Sequence, residues 1–299
     1  MGTIGFYLTI QNDLGLWLLH GCPFLRRLTA ARRKERIIMG DYIGSSQIRA
    51  YNADCLVGMS RVGTGTVDLI LTDLPYGTTA CPWDTVIPFA PLWEQYRRIL
   101  KPKGALVLMA TQPFATDLIN SARKLFRYDL IWEKTGPVGH ANAHRMPMRS
   151  HELILVFYQR LPKYNPQGLI PLEKPVRRKG SERKAGGVYT GLDAPSVQRF
   201  TNYPRSVLHF SNRKERRYHP TQKPVDMMEY FVRTYTDEGD TVLDSCMGSG
   251  STGLACIRSG RRFVGFEKDP NIYATALGRM REEYQTTQRK GGCIYADDR

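Results

Sequence analysis

The stretch VDLILTDLPYG, residues 67–77, decides the fold. Leu69, Ile70 and Leu71 follow one another without a polar break, as in a strand buried on both faces, and parallel sheets bury their strands in that way. The strand then ends on a carboxylate, Asp73, set close to the ring of Tyr76, with Pro75 fixing the backbone between them. A second apolar strand, inside DTVLDSCMGSGSTG at 240–253, ends in a glycine-rich turn. One strand tip suits a flat polar ring, and the other suits a nucleoside-like cofactor.

Outward from these tips, strand and helix patterns alternate. Leu92, Trp93, Tyr96, Ile99 and Leu100 share one helical face, and ALVLMA at 105–110 follows as a strand, which completes a β-α-β unit. YDLIWEK (128–134) and ELILVFY (152–158) add strands expected at one end of the sheet. Val225, Met228, Phe231, Val232 and Tyr235 mark a further helix, and DTVLDS and RRFVGFE (261–267) bracket another at about 251–259. This alternation predicts an α/β fold with a mostly parallel sheet and helices on both faces.

The charge is uneven. Of a net +15, residues 160–217 carry 14 Lys and Arg against 4 Asp and Glu. That segment also holds Pro162, Pro166, Pro171, Pro175, Pro195 and Pro204 and short runs such as RSVLHF, so it reads as an inserted basic region able to meet a polyanion. Residues 1–40 are mostly apolar to Leu25 and then arginine-rich, the reverse of a secretory leader, and are expected to be a peripheral extension with Met39 as the functional start. The six cysteines form no C-x-x-C pair, which argues against a zinc site or disulfide framework and for a reducing cytoplasm. The expected division is a 1–40 extension, a 41–159 half that holds the first strand tip, a 160–217 inserted basic region and a 218–299 half that holds the glycine turn.

In the glycine turn, Gly248, Gly250 and Gly253 have G-x-G-x-x-G spacing after a strand and before a helix. Asp244 ends the strand before it, and Glu267 ends the next one, where a carboxylate can take both hydroxyls of a ribose. That spacing suits a nicotinamide dinucleotide as well as S-adenosylmethionine, although Ser245, Cys246 and Met247 lengthen the turn beyond the dinucleotide pattern. At the other tip, Asp73 and a backbone carbonyl near Leu74-Pro75 can accept both hydrogens of an exocyclic amine while Tyr76 stacks on the ring. Such a grip aims a nitrogen lone pair at an electrophilic carbon without a metal or a covalent nucleophile.

DLPY (73–76) resembles the D-P-P-Y motif of amino-group DNA methyltransferases, DSCMGSGSTG resembles their cofactor loop, and HPTQKP (219–224) is similar to the segment that precedes that loop. The order, with the catalytic motif first, matches the circularly permuted β group of adenine-specific type. The resemblance covers roughly residues 47–285. It implies a Rossmann-like methyltransferase fold with an inserted target-recognition region and S-adenosylmethionine as cofactor. By the same resemblance Asp73, Pro75 and Tyr76 would grip the base, with Asp54, Thr221, Gln222, Lys223, Asp244, Gly248, Gly250 and Glu267 around the cofactor. Thr221, Gln222 and Lys223 would lie near its methionine end. Arg177, Arg178, Lys179, Arg183 and Lys184 would meet DNA phosphates, and no metal is expected. Leu74 departs from the family's proline, and an aspartate at position 73, where amino-cytosine enzymes more often have serine, favours N6 of adenine. Double-stranded DNA is the implied partner, and a homodimer and a cognate restriction endonuclease are partners the resemblance leaves open. The rival readings are N4-cytosine methylation on the same fold, a non-catalytic nucleic-acid-binding protein and a dinucleotide oxidoreductase.

Overall fold

The structure, a computed structural model, describes residues 40–44, 47–79, 81, 83–179, 195–213, 218–219 and 221–292. The extension expected at 1–40, apart from Gly40, lies outside the described residues, as do Met39, Arg183 and Lys184. In chain order the strands are β1 (Gly40–Ile43), β2 (Ile48–Asn52), β3 (Val67–Asp73), β4 (Leu100–Ala110), β5 (Phe126–Val138), β6 (Arg149–Phe157), β7 (Ile170–Arg178), β8 (Ser196–Thr201), β9 (Val207–Phe210), β10 (Thr241–Asp244) and β11 (Arg262–Glu267). The helices are α1 (Cys55–Met59), α2 (Phe89–Ile99), α3 (Phe114–Ser121), α4 (Val225–Tyr235), α5 (Ser251–Ser259) and α6 (Pro270–Gly292).

Nine strands form one sheet in the order β1-β2-β11-β10-β3-β4-β6-β5-β9. The five from β2 to β4 run parallel, as their continuous apolar runs require. β5 and β6 lie toward one end, as expected, but β6 runs antiparallel both to β4 and to β5. Helices α1 to α3 cover one face through Met59, Leu92, Trp93, Tyr96 and Leu118. Helices α4 to α6 cover the other through Phe231, Val232, Leu254, Ala276 and Met280.

β3 feeds β4 on one side, whereas β10 feeds β11 on the other, so the crossovers diverge between β3 and β10. The carboxyl ends of strands at such a switch point leave a crevice in which open α/β sheets bind ligands. The same two strands carry Asp73 and Asp244 at their tips.

The basic segment at 160–217 is not wholly separate from this sheet. β9, formed by the VLHF of RSVLHF, pairs parallel with β5 at the sheet edge. Near its start, Lys163 pairs with Asp237 and Asp240, and Asn165 bonds to the end of α4. Between these anchors β7 and β8 form a two-stranded antiparallel ribbon of largely exposed residues.

Candidate active site

Thr72, the penultimate residue of β3, hydrogen-bonds across to Ser245 just past β10 (3.3 Å), and Ser245 also meets the Tyr96 hydroxyl rising from α2 (2.7 Å). These buried polar groups tie the two tips together beneath the crevice. Above them opens a cavity of about 940 Å³ lined by both tips, from Asp73, Pro75 and Tyr76 on one side to Asp244, Gly248 and Glu267 on the other. Asp54, Thr221, Gln222 and Lys223 line it as well. The two strand ends therefore converge on one cavity.

The turn after β3 is organised by a single carboxylate. Asp84, buried, accepts hydrogen bonds from the backbone N–H groups of Tyr76, Gly77, Thr78 and Thr79 and from the Thr79 hydroxyl, at 2.7–2.9 Å. Burial alone would raise its carboxyl, but the bonds from Gly77, Thr79 and Tyr76 outweigh that and hold it below its ordinary value. Leu74 is buried in the same core cluster as Met59 and Leu92 while also lining the cavity, and with leucine in place of the family's proline Asp73 and Tyr76 still reach the site. The Tyr76 ring lies 5.2 Å from that of Phe114.

Both oxygens of Asp73 are engaged within the protein. The Tyr76 hydroxyl donates to Oδ1, and Lys223 Nζ donates to Oδ2 at 2.5 Å. Lys223 is buried, and the charge chain continues: Glu152 on β6 lies 3.4 Å from Lys223 and pairs at 2.5 Å with Lys134 on β5. Burial pushes the Asp73 carboxyl above its ordinary range, Lys223 opposes this, and Glu152 adds to it. Burial also works against the Lys223 ammonium, but Asp73 and Glu152 outweigh it and hold the amine protonated. For Glu152, burial is likewise outweighed by Lys223 and Lys134, which keep it ionised below its usual value. Burial, then the charges of Asp73 and Glu152, keeps the Tyr76 phenol protonated.

At the other tip, Gly248 takes a positive φ of 50° and donates its N–H to Glu267 Oε2 (3.1 Å), while Oε1 accepts from Asp269 N–H (2.8 Å). A side chain at Gly248 would meet nothing within 4 Å, so it would stand in the open space beside the turn. Gly250, by contrast, is not among the cavity's lining residues. It caps α5 with φ +85°, and a Cβ there would come within 3.2 Å of Ala276 on α6, so its role is packing and turn geometry. Asp244 is buried, accepts from the Thr252 hydroxyl (2.6 Å) and Cys246 N–H (3.1 Å), and burial raises its pKa to about 6. Cys246 has its thiol raised by a hydrogen bond with Cys55 and by burial, which suits a packing residue and not a nucleophile.

The segment 219–224 joins the tips. The Lys223 carbonyl accepts from Ser251 in the first turn of α5 (2.8 Å), Gln222 Oε1 accepts from Ser249 (3.3 Å), and the Lys223 side chain reaches Asp73. Lys223, expected near the methionine end of the cofactor, lines the cavity and bonds to the Asp73 carboxylate. Thr221 is exposed and bonds to His219 Nδ1 (3.0 Å). Asp54 caps α1 through Leu56 N–H (3.0 Å) with its side chain half exposed. Arg177 and Arg178 lie on β7 and Lys179 just beyond it, with Arg177 and Lys179 exposed. Among the described residues no cluster of His, Cys, Asp and Glu could hold a metal ion.

Glu152 and Lys134 are the residues that sequence reasoning missed. A signal was present for Glu152: a lone acid at the head of the apolar run ELILVFY, where a buried charge needs a partner.

Comparison with known proteins places this geometry. The chain is 25% identical over 249 residues to the Type II methyltransferase M.HpaI of Haemophilus parainfluenzae, covering 78% of this chain and 74% of that one. It is 26% identical over 244 residues to the DNA adenine methyltransferase YhdJ of Escherichia coli (strain K12), covering 77% and 81%. Among solved structures it shares its fold with the cytosine-N4-specific PvuII DNA methyltransferase (TM-score 0.57, 15% identity, 81% of this chain and 93% of that one). The M1.HpyAVI–SAM complex also matches (TM-score 0.52, 24% identity, 78% and 99%). The sequence model of the N6/N4 methylase family, described as DNA methylase, matches residues 67–277, from the first residue of β3 through the cofactor turn into α6, and the chain belongs to that family.

Proposed function

We propose that this protein transfers a methyl group from S-adenosylmethionine to the N6 amine of adenine in double-stranded DNA. The observation that carries the reading is the meeting of the Asp73–Tyr76 tip and the Asp244–Glu267 tip in one cavity at the sheet's switch point. Glu267, with lone pairs left after its two backbone bonds, would take the ribose hydroxyls, and the open side of Gly248 leaves room for close approach of the nucleoside. When bound, S-adenosylmethionine supplies a methyl carbon on a positively charged sulfur.

The protein's part is to hold, orient and neutralise. Asp73 accepts an N–H of the amine and Tyr76 offers its ring face, so the nitrogen lone pair points into the cavity. Asp73 would stand beside the positive charge that methyl transfer places on the nitrogen, offsetting it and offering a route for the surplus proton. An amine paired inside a duplex cannot reach this position, so the base must rotate out of the stack. The ribbon that carries Arg177 and Arg178, with Lys179 just after its first strand, is suited to phosphate contacts, a role to which Arg183 and Lys184 would add by their charge.

Adenine is favoured over cytosine by aspartate at position 73 and by relatives named as adenine enzymes. The Type II name of M.HpaI favours a restriction–modification setting, in which a cognate endonuclease would be the partner. Cytoplasmic residence follows from the substrate, and no described helix is long and apolar enough to cross a membrane. Incubation with methyl-labelled cofactor and unmodified genomic DNA, followed by nucleoside analysis, tests the reading. The label is expected in N6-methyladenine; label in N4-methylcytosine, or none in DNA, refutes it.

A further inference from the structure

Lys223 stands between two carboxylates in unequal states. It is bonded to Asp73 Oδ2 at 2.5 Å, whereas Glu152 Oε2, buried and 3.4 Å from the same nitrogen, accepts no hydrogen bond. The other Glu152 oxygen is fixed by Lys134, so the unbonded oxygen stays aimed at Lys223. The centroid of the Tyr76 ring lies 5.9 Å from the ammonium. Each Asp73 oxygen keeps a second lone pair, but Oδ2 already faces the Lys223 ammonium, which weakens it as an acceptor for an amine N–H. An ammonium held on Asp73 would also oppose the positive charge that develops on the substrate nitrogen.

We infer that Glu152 is a positioning residue that takes Lys223 from Asp73 when the target base enters, freeing the carboxylate that grips the amine. The inference rests on the methyl-transfer reading above. The movement is small: the gap to Glu152 closes from 3.4 Å to the ~2.8 Å of a charge-assisted hydrogen bond. It creates no net charge, because one carboxylate replaces another as the partner of a single ammonium. Lys134 holds the receiving carboxylate ionised and in place throughout.

The test is a double-mutant cycle read by single-turnover methyl transfer at saturating DNA and cofactor. Glu152→Gln keeps the shape but removes the charge that draws Lys223, and is expected to slow transfer by about tenfold or more with cofactor affinity changed by less than about twofold. In a Lys223→Met background there is nothing to hand over, so the same change is expected to alter the rate by less than about threefold. An equal loss in both backgrounds, or no loss in the wild type, overturns the inference. Should both Lys223→Met proteins be too slow to measure, Glu152→Asp, which keeps the charge, is expected to fall between wild type and Glu152→Gln; equal rates for the two Glu152 variants overturn the hand-off. A wild-type protein that methylates no DNA overturns the methyl-transfer reading itself, and the hand-off with it. A wild-type protein that does methylate, matched by Glu152→Gln, overturns the hand-off alone.

Discussion

Asp244 shows what the site costs the fold. A carboxyl with an ordinary pKa of 3.8 is raised by burial to about 6, although the Thr252, Thr72 and Cys246 hydrogen bonds pull the other way. The folded chain therefore keeps this proton where the unfolded chain has lost it, so the group's contribution to stability falls as pH rises from 3.8 to about 6. Asp244→Asn removes that penalty. Relative to wild type it is expected to unfold at higher denaturant concentration by about 1–3 kcal/mol above pH 6, with the gain vanishing below about pH 4. Calorimetry should show the gain accompanied by weaker binding of the positively charged cofactor, and an Asn variant no more stable at pH 7 than at pH 4 relative to wild type contradicts the assignment. Asp244 and Asp73 were legible in the sequence because each closes an apolar strand. Lys223 was legible as a site residue but not by contact, since a reach from the 219–224 segment to the tip of β3 depends on the crossing of chain segments far apart in sequence.

Elements with a clear period were legible and those held by polar contacts were not. α2 buries Leu92, Trp93, Tyr96 and Ile99, and α4 buries Val225, Met228, Phe231, Val232 and Tyr235, as their spacing requires. α6 buries Tyr273, Ala276, Leu277 and Met280 at the same spacing, a signal present in the sequence and not used. β4 is longer than ALVLMA because Leu100 pairs with Val67 ahead of a register shift, and its first residues, partly buried or exposed, carry no apolar pattern. The turn at 76–79 has no period either, and its order comes from Asp84. Asp84→Ala removes one charged acceptor from five donors, and is expected to destabilise the protein by about 2–4 kcal/mol and to slow methyl transfer through a loosened Tyr76. Chemical unfolding and single-turnover assays read the two effects; wild-type stability would show that the turn holds itself.

For the whole molecule, the order of the two tips along the chain does not matter to the chemistry, only their adjacency in the sheet. β3 and β10 lie far apart in sequence and pair directly, Val242 with Leu69 and Leu243 with Ile70, and that pairing brings the Asp73 tip beside the glycine turn. The motifs and their permuted order made this adjacency legible. The chain of charges through Glu152 and Lys134 was not, because it depends on β6 and β5 continuing the sheet antiparallel beyond β4.

The adjacency is tested most directly by a crystal structure with S-adenosylmethionine bound. The methyl carbon is expected within about 6 Å of an Asp73 carboxylate oxygen, the reach of a near-attack contact of ~3–3.5 Å and a hydrogen bond of ~3 Å placed end to end. A methyl carbon directed out of the cavity, or lying at more than about twice that distance, would contradict it.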